Sequence, residues 1–191
     1  MICVSSNIQS QMDYESELKH LAFHDSMTNL PNRRLLKDFL QKSLEDYLTD
    51  KSKGLVVGMM DIDHFKSIND QMGHDIGDTV IIEFGNRIRK ILRNIDFIVR
   101  LGGDEFVIVL PYTIESEIDQ IVKNIQKTIH KSWIIGDRTF QVMTSIGITM
   151  VPKEKVSISS ILKMADIALY EAKESGRNTY KINDKGIGLL S

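Results

Sequence analysis

The chain has 191 residues, of which 42% are hydrophobic and 26% are charged, and its formal net charge at pH 7 is -2. This length and composition predict one soluble globular domain, and the nearly balanced charge gives no electrostatic reason to expect binding to duplex nucleic acid or to an anionic membrane. A single cysteine, Cys3, excludes an intramolecular disulfide, and no apolar run approaches the roughly 20 residues that cross a bilayer, so we expect a cytoplasmic location.

The N-terminal half is predicted to contain a lead-in helix, a second helix, one buried strand and a long helix. The stretch MDYESELKHLAFHD, from Met12, has apolar residues at helical spacing. A turn around Pro31 and the leucine stripe that follows predict the second helix. The short apolar run GLVVGMMDI, from Gly54, is typical of a strand buried on both faces. Apolar positions then mark a helix from about His74 to Arg93.

The C-terminal half is predicted to alternate strands with helices. Gly102 and Gly103 are expected to form the two-residue turn of a hairpin. We predict a helix for TIESEIDQIVKNIQKTIH, one strand for RTFQVMTSIGITMV, a final helix for VSISSILKMADIALYEAKESG with Gly176 as its C-cap, and a short last strand for NTYKI. This order predicts an α/β or α+β fold with a mixed central β-sheet flanked by helices.

Acidic residues stand at the ends of two predicted strands. Asp61 and Asp63 end the first strand, and Asp104 and Glu105 follow the hairpin turn. If these strands are neighbours, the carboxylates converge and raise each other's pKa, which is costly unless a cation lies between them. A hard divalent ion with oxygen ligands, Mg²⁺ or Mn²⁺, would relieve the repulsion. The alternative is that all four are solvated strand ends.

Polar and basic residues elsewhere suggest a phosphate-bearing, base-containing ligand. The segment from Ile62 to Lys66 passes from strand to helix, where free backbone N–H groups form an anion site and the lysine adds a positive charge. Asn69 and Asp78 offer donors and acceptors to a base edge, although turn chemistry and an exposed helix surface explain each separately. Lys173 and Arg177, four apart on a predicted helix and hence on one face, suit a polyphosphate or a solvated basic helix end.

These residues together resemble the GGDEF family, the diguanylate cyclases of bacteria. The signature is Gly102-Gly103-Asp104-Glu105-Phe106, and four further blocks follow the family order: DSMTNLPNRR from Asp25, DIDHFKSINDQMGHDIGD from Asp61, RNID from Arg93 and ALYEAKESGRN from Ala168. The resemblance implies a GGDEF domain over residues 18–184, after a tail and the start of a signalling helix at 1–17 and before a C-terminal tail at 185–191. It also implies a fold resembling the nucleotidyl cyclase and polymerase palm, which is ferredoxin-like.

The family resemblance implies condensation of two GTP into cyclic di-GMP with release of two pyrophosphates, by a two-fold homodimer. It implies that Mg²⁺ or Mn²⁺ is held by Asp61, the main-chain carbonyl of Ile62, and Asp104. The catalytic residues implied are Asp104, Glu105 and Lys66. The substrate-binding residues implied are Phe65, Lys66, Asn69, His74, Asp78, Gly102, Gly103, Lys173 and Arg177. Because Asp78 is present, we expect GTP rather than mixed nucleotide use.

Arg93 and Asp96 form the only R-x-x-D pattern of the chain. In the family this motif is the inhibitory site, where the arginine binds the phosphates and guanines of the product; the alternative is a salt bridge at a helix end, worth about 0 to 1 kcal/mol. A binding module that has lost catalysis and holds GTP or cyclic di-GMP is the alternative function. We expect no nucleic-acid partner and no membrane contact by this domain, although a sensory or membrane part could lie outside this chain.

Overall fold

The computed structural model describes Gln11, Tyr14, Glu17, Leu18 and residues 20–50 and 54–183. The predicted lead-in helix is helical at its described positions up to Phe23. Residues 1–10 of the N-terminal segment predicted at 1–17, and the whole C-terminal tail predicted at 185–191, lie outside the described residues. The helices after it are α1 (Arg33–Thr49), α2 (Phe65–Met72), α3 (His74–Ile91), α4 (Glu115–Ile129) and α5 (Ile158–Glu174). The strands are β1 (Leu55–Ile62), β2 (Phe97–Gly102), β3 (Glu105–Pro111), β4 (Trp133–Ile135), β5 (Arg138–Phe140), β6 (Thr144–Met150) and β7 (Tyr180–Asn183).

The central sheet has five strands in the order β2-β3-β1-β6-β7. Strand β1 pairs antiparallel with β3 and β6, and β7 pairs parallel with β6. The sheet is therefore mixed, and the predicted fold class is confirmed. No helix among the described residues is both long enough and apolar enough to cross a bilayer.

Strand β1 lies at the centre of two hydrophobic layers, and all eight of its residues are buried. Met60 belongs to the layer that also contains residues of α3 and α4. Val57 and Met59 belong to the opposite layer, with residues of α1 and α5. This double burial explains why the strand is continuously apolar. Because side chains alternate along a strand, Asp61 faces the same side as Met59, toward α5.

The prediction of one strand over RTFQVMTSIGITMV is wrong. Residues 138–140 form β5, which pairs with β4 in a separate two-stranded hairpin, and β6 begins only at Thr144. Gly136 (φ 63°) takes the left-handed conformation that closes this hairpin, and Trp133 is fully buried with its indole N–H donating to the Ile129 carbonyl at 2.7 Å. The local turn and the buried indole hold the first residues of the segment away from the main sheet.

The hairpin turn was predicted one residue too early. Gly103 and Asp104 form the turn, whereas Gly102 pairs with Glu105 after a register shift that follows Arg100. Gly102 (φ 141°) and Gly103 (φ 54°) both have backbone conformations that side chains with a Cβ rarely adopt. The shift places Asp104 in the turn itself.

The final helix ends at Glu174, before Arg177. The N–H groups of Gly176 and Arg177 donate to the carbonyls of Lys173 and Ala172, a Schellman pattern with Gly176 at φ 106°. The C-cap role of Gly176 is therefore confirmed. The prediction that Lys173 and Arg177 share a helix face is wrong, because Arg177 lies beyond the helix in a left-handed conformation (φ 63°).

Candidate active site

The acidic residues meet where β1 and β3 are adjacent. Asp61 is directly opposite Glu105 in the antiparallel register, and Asp104 lies beside them in the turn. Asp61 is 8% exposed, and burial raises its pKa to about 6, with smaller contributions from the negative charges of Asp104 and Asp63. The predicted convergence of carboxylates is present, and it leaves Asp61 costly to ionise.

Lys173 approaches this carboxylate from the last turn of α5. Its Nζ lies 2.7 Å from Asp61 Oδ2, and its hydrogen bond and positive charge lower the pKa of Asp61 against the effect of burial. The sequence predicted Lys173 only as a phosphate contact, and this ion pair was not foreseen. The lysine is partly exposed, so it can meet both the carboxylate and a ligand at the mouth of the site.

Asp63 has a different environment from the other acidic residues. Its Oδ1 accepts a hydrogen bond from Ser145 Oγ at 2.7 Å, and its Oδ2 accepts one from the backbone N–H of Asn178 at 2.9 Å. Among the described residues, no group of three or more His, Cys, Asp or Glu side chains is arranged to hold a metal ion. The metal ligands implied by the family resemblance, the carboxylates of Asp61 and Asp104 and the main-chain carbonyl of Ile62, stay a prediction.

The start of helix α2 supplies the candidate anion site. His64 (φ 58°) turns the chain from β1 into the helix and gives no side-chain cap to its first N–H groups. Phe65 is half-buried against the core, and Lys66 is exposed. The helix begins at Phe65, four residues after Asp61, so the partial positive charge of its start is close to the acidic residues.

The predicted base-reading residues lie where α2 meets α3. Asn69 Oδ1 is buried and, among the described residues, has no hydrogen-bond partner. Gly77 faces it, and a Cβ at that position would lie 1.8 Å from Asn69 Oδ1. His74 and Asp78 are exposed near the start of the same helix. This oxygen lacks a donor, and because it is buried against Gly77, the Asn69 side chain must turn before a ligand edge can donate to it.

Arg100 and Asp25 form hydrogen bonds that fix the hairpin turn, and neither was among the site residues predicted from the sequence. Arg100 is 7% exposed; its Nε and Nη2 donate to the Gly103 carbonyl at 3.0 and 2.9 Å, and its Nη1 donates to Asp25 Oδ1 at 2.8 Å. Burial acts to raise the pKa of Asp25, but the hydrogen bonds from Thr28 and Arg100 have the larger combined effect. The pKa of Asp25 is therefore lower than its ordinary value. An arginine inside an otherwise apolar strand was the signal that could have identified this clamp.

Arg93 and Asp96 lie at the opposite end of β2, about 20 Å away for a strand of this length. The Arg93 guanidinium pairs with both oxygens of Asp96 and donates to the Pro111 carbonyl at 2.9 Å and to Thr113 Oγ1 at 2.8 Å. The hydrogen bond to Asp96 raises the pKa of Arg93 above its ordinary value. A cavity of about 370 Å³ is lined by this pair and by residues of α4. Arg93 and Asp96 therefore form the salt bridge that the sequence offered as the alternative to an inhibitory site.

Comparison with known proteins gives one consistent family. The family described as "Diguanylate cyclase, GGDEF domain" matches residues 22–179. The bifunctional diguanylate cyclase/cyclic di-GMP phosphodiesterase MucR of Pseudomonas aeruginosa is 38% identical over 86% of this chain but only 24% of its own length. The chain thus spans about a quarter of MucR.

Two solved GGDEF domains have similar structures. The GGDEF domain of TpbB from Pseudomonas aeruginosa is 36% identical, with a TM-score of 0.79 over 84% of this chain and 94% of that one. The GGDEF domain of DgcB from Caulobacter crescentus, in complex with c-di-GMP, is 27% identical, with a TM-score of 0.80 over 86% and 94% of the two chains. Because the family model covers most of the chain and the signature and fold agree with it, the chain belongs to the GGDEF family of diguanylate cyclase domains.

Proposed function

We propose that this domain condenses two molecules of GTP into cyclic di-GMP and releases two pyrophosphates. The observation that carries the proposal is the buried carboxylate of Asp61, opposite Glu105 and beside Asp104, with a pKa raised to about 6 by burial and by its acidic neighbours. Such a carboxylate favours a bound cation, and GTP is delivered as its complex with a divalent ion. Membership of the family supports the same chemistry.

The residues present fit Mg²⁺ or Mn²⁺. Asp61, Asp104 and the Ile62 carbonyl are hard oxygen donors, and the small number of protein ligands suits an ion that keeps water and phosphate oxygens in its shell. Such an ion, when bound, polarises the α-phosphate, lowers the pKa of the attacking hydroxyl and neutralises the leaving pyrophosphate. Lys173, already 2.7 Å from Asp61, adds a positive charge at the same place.

The substrate is held by residues on both sides of the acids. The uncapped start of α2 at Phe65, with the exposed Lys66, is the proposed contact for the phosphates, and Lys173 and Arg177 extend it. The side-chain amide of Asn69, turned from its packing against Gly77, is the proposed acceptor for the guanine edge, and Asp78 pairs with its donors, with His74 beside the nucleotide. An adenine edge offers fewer donors to this acceptor pair, so GTP is favoured.

The attacking group is the 3′-hydroxyl of a second GTP. Asp104 and Glu105 are proposed to help remove its proton, which is consistent with their positions in the hairpin turn and at the start of β3. A Cβ built at Gly102 or Gly103 would meet no atom within 4 Å, so the surface over the hairpin is open to a nucleotide. The Arg100 clamp on the Gly103 carbonyl keeps this surface in place.

The proposed catalyst is a two-fold dimer. Cyclic di-GMP contains two equivalent phosphodiester linkages, so two domains must each present a GTP to the other. The proposed partners are GTP, a second copy of the domain, and cyclic di-GMP as an inhibitor at Arg93 and Asp96. A cytoplasmic location is proposed with this function, because GTP is supplied there.

The direct test is product analysis by mass spectrometry after incubation with GTP and Mg²⁺. The isolated chain is expected to be weakly active, with a specific rate that increases with protein concentration. A version dimerised through a leucine zipper fused before the lead-in helix should form cyclic di-GMP rapidly. Absence of cyclic di-GMP from the dimerised version would contradict the proposal, and a concentration-independent rate in the isolated chain would contradict the need for a dimer.

A binding module without catalysis is the second candidate function. The Lys173 ion pair favours it, because Asp61 already has a counter-ion at 2.7 Å without any metal. Such a module would bind GTP or cyclic di-GMP in equilibrium dialysis, and its dimerised version would leave the nucleotide unchanged. The product analysis described above therefore distinguishes the two functions.

A further inference from the structure

Asp63 stands two residues from the candidate metal ligand Asp61, yet hydrogen-bond donors occupy both of its oxygens. It is 5% exposed. Ser145 Oγ donates to one oxygen at 2.7 Å, and the backbone N–H of Asn178 donates to the other at 2.9 Å. The N–H of Asp63 donates to the Met143 carbonyl at 3.0 Å. The side chain therefore joins the end of β1 to β6 and to the turn that follows α5.

That turn has an unfavourable backbone conformation. Gly176, Arg177 and Asn178 have φ values of 106°, 63° and 47°, so two successive residues with a Cβ are left-handed. Each is disfavoured by contact between its Cβ and the backbone, and such residues persist where surrounding contacts over-determine them. Asp63 provides one such contact to the amide of Asn178, and His130 Nε2 meets the Asn178 side-chain oxygen.

Arg177 lies between two anchored points of the chain. Four residues before it, Lys173 pairs with Asp61, and one residue after it, Asn178 is held by Asp63. Within the described part of the chain the Arg177 side chain is exposed and forms no ion pair. A fixed backbone lowers the entropy cost of ordering a long side chain on a ligand.

We infer that Asp63 is a positioning residue that fixes the backbone of Arg177 so that the guanidinium meets the triphosphate, an inference that rests on the proposed function. Asp63 acts through its two hydrogen bonds and not as a metal ligand. An asparagine can preserve both bonds, because its oxygen accepts from the Asn178 N–H while its NH₂ donates to Ser145, whose hydroxyl can turn to accept. A metal ligand would not tolerate that change.

The test compares Asp63→Ala, Asp63→Asn, Arg177→Ala and the Asp63→Ala/Arg177→Ala double variant. Their affinities are measured for a non-hydrolysable GTP analogue and for GMP, both with Mg²⁺. Asp63→Ala is expected to weaken the triphosphate analogue about tenfold and to leave GMP unchanged, since only the terminal phosphates reach Arg177. Asp63→Asn should stay within about twofold of the unmodified protein, and the double variant should bind no more weakly than Arg177→Ala.

Equal losses in Asp63→Asn and Asp63→Ala would show that the negative charge itself is required and would overturn the positioning role. Additive losses in the double variant would also overturn it. If Asp63→Ala does not fold, Ser145→Ala removes only one of the two anchors, and an unchanged affinity for the analogue would count against the inference.

Amide hydrogen exchange tests the clamp without any nucleotide. Exchange at Asn178 should accelerate in Asp63→Ala by more than exchange at the buried amides of β1, which report global unfolding, and stay slow in Asp63→Asn. An unmodified protein that fails to bind the analogue would contradict the proposed function. Independently of nucleotide binding, an exchange rate at the Asn178 amide that does not increase in Asp63→Ala would contradict the positioning role of Asp63.

Discussion

The two ends of strand β2 both carry charged clusters, but they differ in how completely the charges are satisfied. At one end, Arg93 pairs with both oxygens of Asp96 and also donates to Pro111 and Thr113, and the Asp96 side chain is only 4% exposed. At the other end, Asp61 keeps a pKa raised to about 6 even with Lys173 beside it.

The Arg93–Asp96 cluster is thus a contact whose charges are satisfied within the protein, whereas the cluster at Asp61 is a site whose charges a ligand would satisfy. The Arg93 side chain donates hydrogen bonds to Asp96, Pro111 and Thr113, so the R-x-x-D motif contributes to the fold whether or not it also binds product. The acidic end gains stability when a cation enters, because burial and like charge both disfavour the ionised Asp61. Three substitutions and one pH titration test this contrast, and the expected effects decrease from the first to the last.

The largest effect is expected for Asp104→Ala. Product formation by the dimerised protein should decrease by about 1000-fold or more, because a metal ligand and a candidate proton acceptor are lost. Stability should not decrease, since the change removes a negative charge that raises the pKa of Asp61. Mass spectrometry and urea unfolding measure the two results. The matched control is Asp137→Ala, in the exposed β4–β5 turn, and unfolding of Asp104→Ala alone would point to a structural role instead.

At the other end of β2, Arg93→Ala should cost about 2 kcal/mol of stability, because it leaves the buried Asp96 carboxylate without its cation. Inhibition by cyclic di-GMP should also become weaker. Urea unfolding and an inhibition curve provide the measurements, with Lys90→Ala, an exposed basic residue in the last turn of α3, as the control. An unchanged unfolding midpoint would contradict the structural part, and an unchanged inhibition curve would contradict the inhibitory site.

Gly77→Ala tests the base-reading part of the acidic end. The new Cβ would lie 1.8 Å from Asn69 Oδ1 and must displace that side chain, so affinity for the GTP analogue should fall more than about tenfold. The fold should tolerate the change, because alanine is the better helix former. Gly85→Ala, in the same helix but against Leu30, is the control: it should lower stability and leave affinity unchanged. Unaltered GTP affinity in Gly77→Ala would remove Asn69 from the site.

The smallest effect is a pH dependence caused by Asp61. Its pKa is about 6 in the fold against an ordinary 3.8, so Mn²⁺ affinity should decrease as pH falls below about 6, by up to about tenfold between pH 7 and pH 5. The stability of the metal-free protein changes in the opposite direction to the Mn²⁺ affinity. Because the folded state binds the Asp61 proton more tightly than the unfolded state does, the contribution of Asp61 to stability increases as pH falls from about 6 toward 4. Asp61→Asn should remove this part of the stability slope, and an Mn²⁺ affinity that is flat over this range would contradict the raised pKa.

Local patterns predicted most elements but misplaced three details of the fold. The apolar run of β1, the turn around Pro31 with the leucine stripe of α1 and the periodicity of α3 each identified an element correctly, because each depends on neighbours within a few residues. The end of α5 before Arg177 follows from local hydrogen bonds at Gly176, which helical spacing does not show. The division of residues 138–150 between two sheets and the one-residue shift at Gly103 depend on contacts between distant segments. No local period contains that information.

The sequence by itself determined the family, the mixed sheet and the residue types of the site, because the blocks around Asp61 and Glu105 combine buried strands with acids that such strands rarely carry. Only the tertiary structure decided what each acid does. It gave Asp61 a lysine, Asp63 a pair of hydrogen-bond donors and Asp25 an arginine, since side-chain partners more than 70 residues apart are chosen by the packing of strands and helices. Identical carboxylates thus acquire different roles from the burial and the donors around them.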